Sequence, residues 1–567
     1  MFNFPDPKTK NPRERKWQRI MEIIPGVLTW FTLIGMFVFS FLFPVYIAVF
    51  IIAFDIYWIY RTIFIAYYSI EGYKKLREGK KIDWWERCQN IGDPEKYASL
   101  IFSKIENMKE SLKNSREISR KETRILKKEI TKNEKYLQEV EKIKESCKQN
   151  KNQIMDWKKI IHVVMLPTAG EPAKVIEPSI QSIADCNFPN QQFIILLATE
   201  EREPEEKRLK KVNYLKKKFQ GVFRDFIVTT HIVKGNEIKA KSSNATFAAK
   251  KLVLYLQEKN IDFKNVIFSN FDCDSVAHPQ YFAALTYEYI VDPKRLQRSY
   301  QPLPMYHNNL WDTNAFVRVI VTGSSFWHIF QSTRTEGMVT FASHSEPFDT
   351  LYKVDFWPIN VISEDSIIYW KCFSFYNGDY KVKPIYLPIS LDAVLAESYW
   401  KTIKNQYKQK RRWAYGIENF PIIMRAICPN KKISIRKKIK AAFEMLEGHH
   451  SWATSSIILA ILGWLPLILG GEQFNQSVLA HNLPFITRYL MTLAMIGLVI
   501  SMSLSFLLMP PRPKKYSRWR NINMLLQWIL MPIIAPFLGS LPSIDSQTRI
   551  MFGKYFEEFW ITEKIRK

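Results

Sequence analysis

The sequence predicts an α/β domain with a largely parallel sheet, set between membrane-spanning helices. Three observations predict it. Residues 23–54 carry no charged side chain. Long apolar runs return after residue 450. Between about 160 and 430, short β-rich runs alternate with stretches of helical spacing. Strands that alternate with helices build a sheet with helices packed against it.

The first membrane region, 1–70, follows from length. A membrane helix needs roughly 20 apolar residues. The charge-free run, extended by "IYWIYRTIFIAYYSI", makes two spans at about 25–43 and 45–66, with Pro44 near the turn. The flanks "KTKNPRERKWQR" and "YKKLREGKK" are both basic, which puts both ends on the cytoplasmic side. The apolar run is too long for a cleavable signal peptide, and none is expected. Asp55 lies in the second span with Arg61 six residues on. A charge at that depth faces a partner or a water-filled path.

Residues 95–166 hold no Gly and no Pro. Ile101, Ile105, Met108 and Leu112 follow helical spacing, and Ile118, Ile125, Ile130 and Leu137 give broken heptads. A cytoplasmic helical linker or coiled-coil hairpin is expected over 71–157. It is a solvated spacer or, through 95–150, a self-association surface.

The α/β domain is expected over 158–430. "KIIHVVMLPT", "QQFIILLAT", "RDFIVTTHIV", "NVIFSNFD" and "KVKPIYLPIS" read as strands. Ligands of such sheets bind beyond the carboxyl ends of the strands. Apolar spans then resume at about 452–470 and 486–509, in a second membrane region over 431–567. The loop 471–484 has no Lys or Arg, whereas "PPRPKKYSRWRN" is heavily basic, so the first lies outside and the second inside. A third run, 523–541, conflicts with its own flanks. A full crossing would put the tail outside, yet Arg549, Lys554, Lys564, Arg566 and Lys567 argue for inside. A re-entrant or interfacial element resolves the conflict.

The 567 residues hold 81 Lys+Arg against 54 Asp+Glu, a net charge of +27. That balance fits nucleic acid, an anionic membrane surface or a phosphate-bearing substrate, and the apolar runs favour the last two. The six cysteines are dispersed without CxxC, so neither a zinc site nor a disulfide framework is suggested.

Three short stretches offer chemistry. "FSNFDCDSVAHP" ends a β-rich run with Asp272 and Asp274. Residues i and i+2 of an extended chain point the same way, and two carboxylates there suit Mg²⁺ or Mn²⁺. Surface loops also supply such pairs. "NVISEDSIIYWKCF" sets Glu364 and Asp365 before a helical pattern. There an acid is either a cap, as Ser363 or Asp365, or a general base. "NQYKQKRRWAYG" joins Lys408, Lys410, Arg411 and Arg412 to Trp413, well before the next span. Arg forks clamp phosphate oxygens, and an indole face stacks on a sugar ring.

In order, strand–"PTAGEP", DxD at 272–274, Glu-Asp at 364–365 and Gln409…Arg412-Trp413, between membrane spans, resemble the processive membrane family 2 glycosyltransferases. Cellulose, hyaluronan and chitin synthases belong to that family. The resemblance covers about 160–430 and the flanking spans. It implies a GT-A-like nucleotide-binding mixed sheet in the cytoplasmic domain of a plasma (inner) membrane protein. It implies an inverting transfer from a nucleotide-sugar, a UDP-sugar above others, to a polysaccharide or lipid-linked acceptor. It gives Asp272 and Asp274 to a Mg²⁺ or Mn²⁺ ion and the donor diphosphate, and Asp365 the role of base with Glu364 beside it. Gln409, Arg412 and Trp413 then bind diphosphate and acceptor, with Arg411 helping and Lys410 only supplementing the field. "IKAKSSNAT" loosely matches a basic element through Lys241 and Asn244, and "FWITEK" matches a gating motif through Phe559, Thr562 and Lys564. The family's nucleoside-binding Asp is replaced by Glu200 or Glu201. Membrane lipids are expected partners and nucleic acid is not. A different class, a tethered interaction protein, predicts salt-sensitive binding to polyanions and leaves the ordered acids unexplained.

Overall fold

The computed structural model describes residues 2–114, 119–150, 154–235, 237–558, 560 and 562–566. The chain enters as α1 (Pro12–Leu42), capped by the Asn11 side chain on the amides of Arg13 and Glu14, with Pro12 at the first turn. Phe43 breaks the helix and Pro44 starts α2 (Pro44–Gly79). These helices turn large apolar side chains outward, Phe31 at 67% exposed and Tyr46 at 74%. Such an arrangement is stable in lipid and costly in water.

α2 runs past its apolar part into the α/β domain. At Gly72 an added Cβ would stand 2.5 Å from Ile329, and at Gly79 2.5 Å from the Tyr386 carbonyl. Only glycine permits these approaches, so α2 is seated directly on the domain. The hairpin follows as α3 (Pro94–Asn114) and α4 (Arg120–Asn150). Tyr97, Ile101, Ile105, Tyr136 and Val140 join one core with the domain's own apolar side chains, so the hairpin is docked rather than free.

The domain is built on an eight-stranded mixed sheet of order β3-β2-β1-β4-β7-β6-β8-β5. The strands are β1 (Ile161–Pro167), β2 (Phe193–Glu200), β3 (Asp225–His231), β4 (Val266–Asn270), β5 (Val276–Ala277), β6 (Arg298–Met305), β7 (His344–Pro347) and β8 (Lys381–Ser390). β3, β2, β1 and β4 are parallel. β1, β2 and β4 read as apolar runs because both faces are covered. β7 is antiparallel to β4 and β6, and β6 pairs parallel with β8 across an irregularity at Gln301/Leu303. The sequence reading did not find β5, β6 or β7. The helices that build the site are α5 (Lys241–Glu258), α6 (Ala315–Ser332), α7 (Glu364–Phe375) and α8 (Tyr399–Ala414).

The second membrane region opens with α9 (Ile435–Ala460), bent by 51° into Leu462–Leu469, and continues with α10 (Val478–Leu508). Asp55 is buried in the bundle beside Thr487 of α10. Arg61 pairs with Glu447 and donates to Ser451 (3.0 Å), both on α9. The stretch Trp519–Met551 is helical but broken by a 3-10 turn at Gln527–Leu530 and a π turn at Ala535–Ser540. Among the described residues, four helical stretches are long and apolar enough to cross a membrane, or five with the bent pair. Before Trp519, the Pro510 carbonyl accepts from Trp311 and Lys515 pairs with Asp312. After Met551, the tail lies on the same α/β domain that the segment before Trp519 contacts.

Candidate active site

Beyond β4 the chain turns back at Asp272–Ser275, where the Ser275 amide donates to the Asp272 carbonyl (3.0 Å). The two aspartates therefore do not share one side of an extended strand, as their spacing predicts. Asp272 faces the Lys241 ammonium. Asp274 is fully buried, and its Oδ2 accepts from the Asp392 amide and from Lys564, each at 2.7 Å. Asp274 Oδ1 is buried without a hydrogen-bond partner.

Lys241, first residue of α5, is the hub. Its Nζ lies 2.9 Å from Asp272, 3.1 Å from Glu364 and 3.4 Å from Asp365. Burial alone would lower the Lys241 pKa, but the three carboxylates outweigh it and hold it well above the ordinary value. Burial likewise favours neutral Asp272, and Lys241 with Lys564 reverses this, holding it at about 2. Glu364 is pushed up to about 8, by burial first and then by Asp365 beside it. Asn244, one turn along, donates to the Ala198 carbonyl (3.0 Å) and to Glu200 (3.4 Å). Glu200 ends β2, buried and paired with Arg202 at 2.5 Å.

Glu364 and Asp365 open α7, where the helix dipole favours negative charge. Ser363 precedes them but makes no side-chain cap. The loop is held instead by Glu418, whose carboxylate accepts from the amides of Ile362 (2.9 Å) and Ser363 (2.7 Å). Behind Asp365 stands buried His344, with Nδ1 at 3.6 Å from Asp365 and Nε2 at 3.3 Å from buried Glu346. Sequence reasoning missed Glu418, His344 and Glu346. None belongs to a recognisable spacing, and each acts through a fold neighbour.

α8 delivers the aromatic and basic part. Gln409 is buried and accepts from Gln406 (3.2 Å). Arg412 lies near Glu364, Asp272, Asp365 and Tyr306, and donates to the Trp560 carbonyl (3.2 Å). The Trp413 ring is 6.2 Å from that of Tyr306. Arg411 does not join this group through its ion pair. It meets Asp545 at 3.0 Å and the Phe556 ring at 5.0 Å, fastening α8 to the C-terminal stretch.

The tail crosses the same place. Lys564 pairs with Asp274, Arg566 clasps Asp392 (2.9–3.2 Å), and Lys401 meets Glu563 at 3.1 Å. Thr562 is buried with an unpartnered hydroxyl. Phe559 lies outside the described residues.

The residues present fit a divalent cation. Asp274 offers one orphaned oxygen as a candidate ligand, its other oxygen being satisfied by an ammonium. Among the described residues no group of three or more His, Cys, Asp and Glu is gathered for a metal. Two carboxylates and phosphate oxygens are the usual set for Mg²⁺.

Fold and site together define a GT-A-like transferase domain, with acids and cations gathered at the carboxyl ends of parallel strands. Residues 269–541 match the model of glycosyl transferase family group 2, from β4 through α8 into the second membrane region. The match covers just under half of the chain, and the chain is a glycosyltransferase whose domain resembles that family group. No curated protein matches it. Among solved structures, a mannosyltransferase of Pyrobaculum calidifontis in complex with GDP-Man and Mn²⁺ is 14% identical, covering 59% of this chain and 86% of that one, at a TM-score of 0.32. S. aureus TarS 1–349 with UDP-GlcNAc is 12% identical, covering 61% and 91%, at a TM-score of 0.33. GalNAc-T7 with UDP, GalNAc and Mn²⁺ is 9% identical, covering 51% and 58%, at a TM-score of 0.32. At these TM-scores the likenesses assign no substrate.

Proposed function

We propose that this is a membrane-integrated, inverting glycosyltransferase that extends a polysaccharide processively from a nucleotide-diphosphate sugar, a UDP-sugar above others. The observation that supports this is the convergence of Asp272, Glu364 and Asp365 on Lys241, with Arg412 and Trp413 beside them. The donor lies beyond the strand ends with its nucleoside toward Glu200. Asp272 and Asp274 would hold Mg²⁺ or Mn²⁺, and the ion would supply positive charge against the diphosphate. Asp365 takes the proton of the acceptor hydroxyl, whose oxygen forms a bond to the anomeric carbon. The bond from that carbon to the diphosphate oxygen breaks, and its electron pair leaves with the diphosphate. Lys241, Arg412 and Lys564 stabilise that charge. One displacement inverts the anomeric centre. The α/β domain is cytoplasmic, at the plasma membrane.

Membranes carrying the protein, given a panel of nucleotide-sugars with Mn²⁺ or Mg²⁺, test this. Release of nucleotide diphosphate with a ladder of lengthening product is expected. A single addition to a lipid-linked acceptor would refute processivity, and no release from any donor would refute the transferase mechanism.

A further inference from the structure

Most cations around the site have a carboxylate. Lys241 has three, Lys564 has Asp274, Arg566 has Asp392 and Arg411 has Asp545. Lys410 differs. Its ammonium donates to the Ser324 hydroxyl of α6 (3.1 Å) and lies 4.4 Å from the centre of the Trp413 ring and 5.7 Å from that of Trp452. Among the described residues no carboxylate stands within ion-pair distance. Burial pushes its pKa down to about 7. The nearest titratable group on α6, His328, is itself pushed down to about 4 by burial, and its Nδ1 lies 3.2 Å from the Pro304 carbonyl, so it brings no compensating charge. Arg411 beside it on α8 is committed to Asp545.

Lys410 is half-buried, and a partly desolvated ammonium without a counter-charge carries a cost that an anionic ligand would remove. Two indole rings and a hydroxyl surround this one, which are the groups that hold a pyranose ring and its substituents. Lys410 lies one helical turn from Trp413 on the same face of α8. Trp452 comes from α9, which continues into the membrane bundle.

We propose that Lys410, Ser324, Trp413 and Trp452 form an acceptor subsite that selects an oxyanion-bearing unit. This rests on the transferase mechanism above. The oxyanion is either the carboxylate of a uronate in the polymer or the diphosphate of a lipid-linked acceptor, and Lys410 is the specificity determinant.

Binding to the full-length protein in detergent, without donor, tests it by calorimetric titration. One pair of probes is a glucuronate-containing disaccharide and its glucose counterpart. The other is farnesyl diphosphate and farnesol. The wild type is expected to bind the anionic member of one pair about tenfold or more tightly than the neutral one. Lys410→Gln should erase that preference and Lys410→Arg should keep most of it, each with a folded melting transition. The pair that responds names the source of the anion. No preference in either pair, or a preference that survives in Lys410→Gln, overturns the subsite. Because no donor is used, a protein that turns over nucleotide-sugar yet ignores charge fails here alone. A protein that binds anions yet turns over no donor fails only as a transferase.

Discussion

Asp365 is held from two sides, by Lys241 at 3.4 Å and His344 at 3.6 Å, while its side chain keeps 29% of its surface open. That is the placement a base needs when its substrate arrives from solvent. Asp365→Asn is therefore expected to lower kcat by roughly 10²–10⁴-fold with little change in donor KM, measured by nucleotide diphosphate release. A near wild-type rate would remove Asp365 as base. Lys410 permits a separate check of its isolation. Its pKa of about 7 lies below the ordinary 10.5. Above pH 10.5 it is neutral folded and unfolded alike. As pH falls from there toward 7, only the unfolded chain takes up the proton, and stability is lost. Lys410→Met should thus melt several degrees above wild type at pH 7, with the gap closing by pH 10.5. An equal gap at both would mean the ammonium is not isolated. Sequence order singled out Lys241, Asp272, Asp365 and Arg412, which the fold brings near one another. It could not show that Arg411 meets Asp545 or that Lys410 lies near Trp452, because those partners are far away in the chain.

At the scale of elements, legibility followed the cause of each element. β1, β2 and β4 were plain because burial on both faces demands apolar runs. β6 is "RSYQPLPM" and β7 is "HSEP", where prolines and polar side chains hide strands that only their neighbours define. The apolar span read at 45–66 sits within α2, which continues to Gly79, since hydropathy marks the apolar part of a helix rather than its end. The C-terminal tail was found as a motif but not as an occupant. It brings Lys564 to Asp274 and Arg566 to Asp392, so the tail supplies positive charge where a divalent cation is expected. Lys564→Met leaves Asp274 with an uncompensated buried charge. Its melting temperature in chelator should fall below that of the wild type, and Mn²⁺ should raise it by more than it raises the wild type. Equal increments would show that ammonium and metal do not share the position.

For the whole molecule, the decisive question is whether Trp519–Met551 crosses. Its first flank is tied to the α/β domain by Trp311 to Pro510 and Lys515 to Asp312. Its second flank is tied by Arg412 to Trp560 and Lys564 to Asp274. Both ties cannot exist if a bilayer separates them. α10 is long and apolar enough to cross, the loop before it carries no Lys or Arg, and the loop after it meets the domain. Exposed positions on each loop therefore report the path: Gln476 before α10, Lys514 after it and Lys554 in the tail. In a protein with Cys147, Cys186 and Cys428 changed to Ser, a single cysteine at each place can be challenged with a membrane-impermeant maleimide. Lys514→Cys and Lys554→Cys are expected to react only in inverted vesicles, and Gln476→Cys only in right-side-out ones. Labelling of Lys554→Cys from the side opposite to Lys514→Cys would make Trp519–Met551 a full span. It would also take Lys564 off Asp274, Arg566 off Asp392 and Trp560 off Arg412 at once. The tail's part in the site and the re-entrant path are thus one claim, and they stand or fall on the same pair of vesicle preparations.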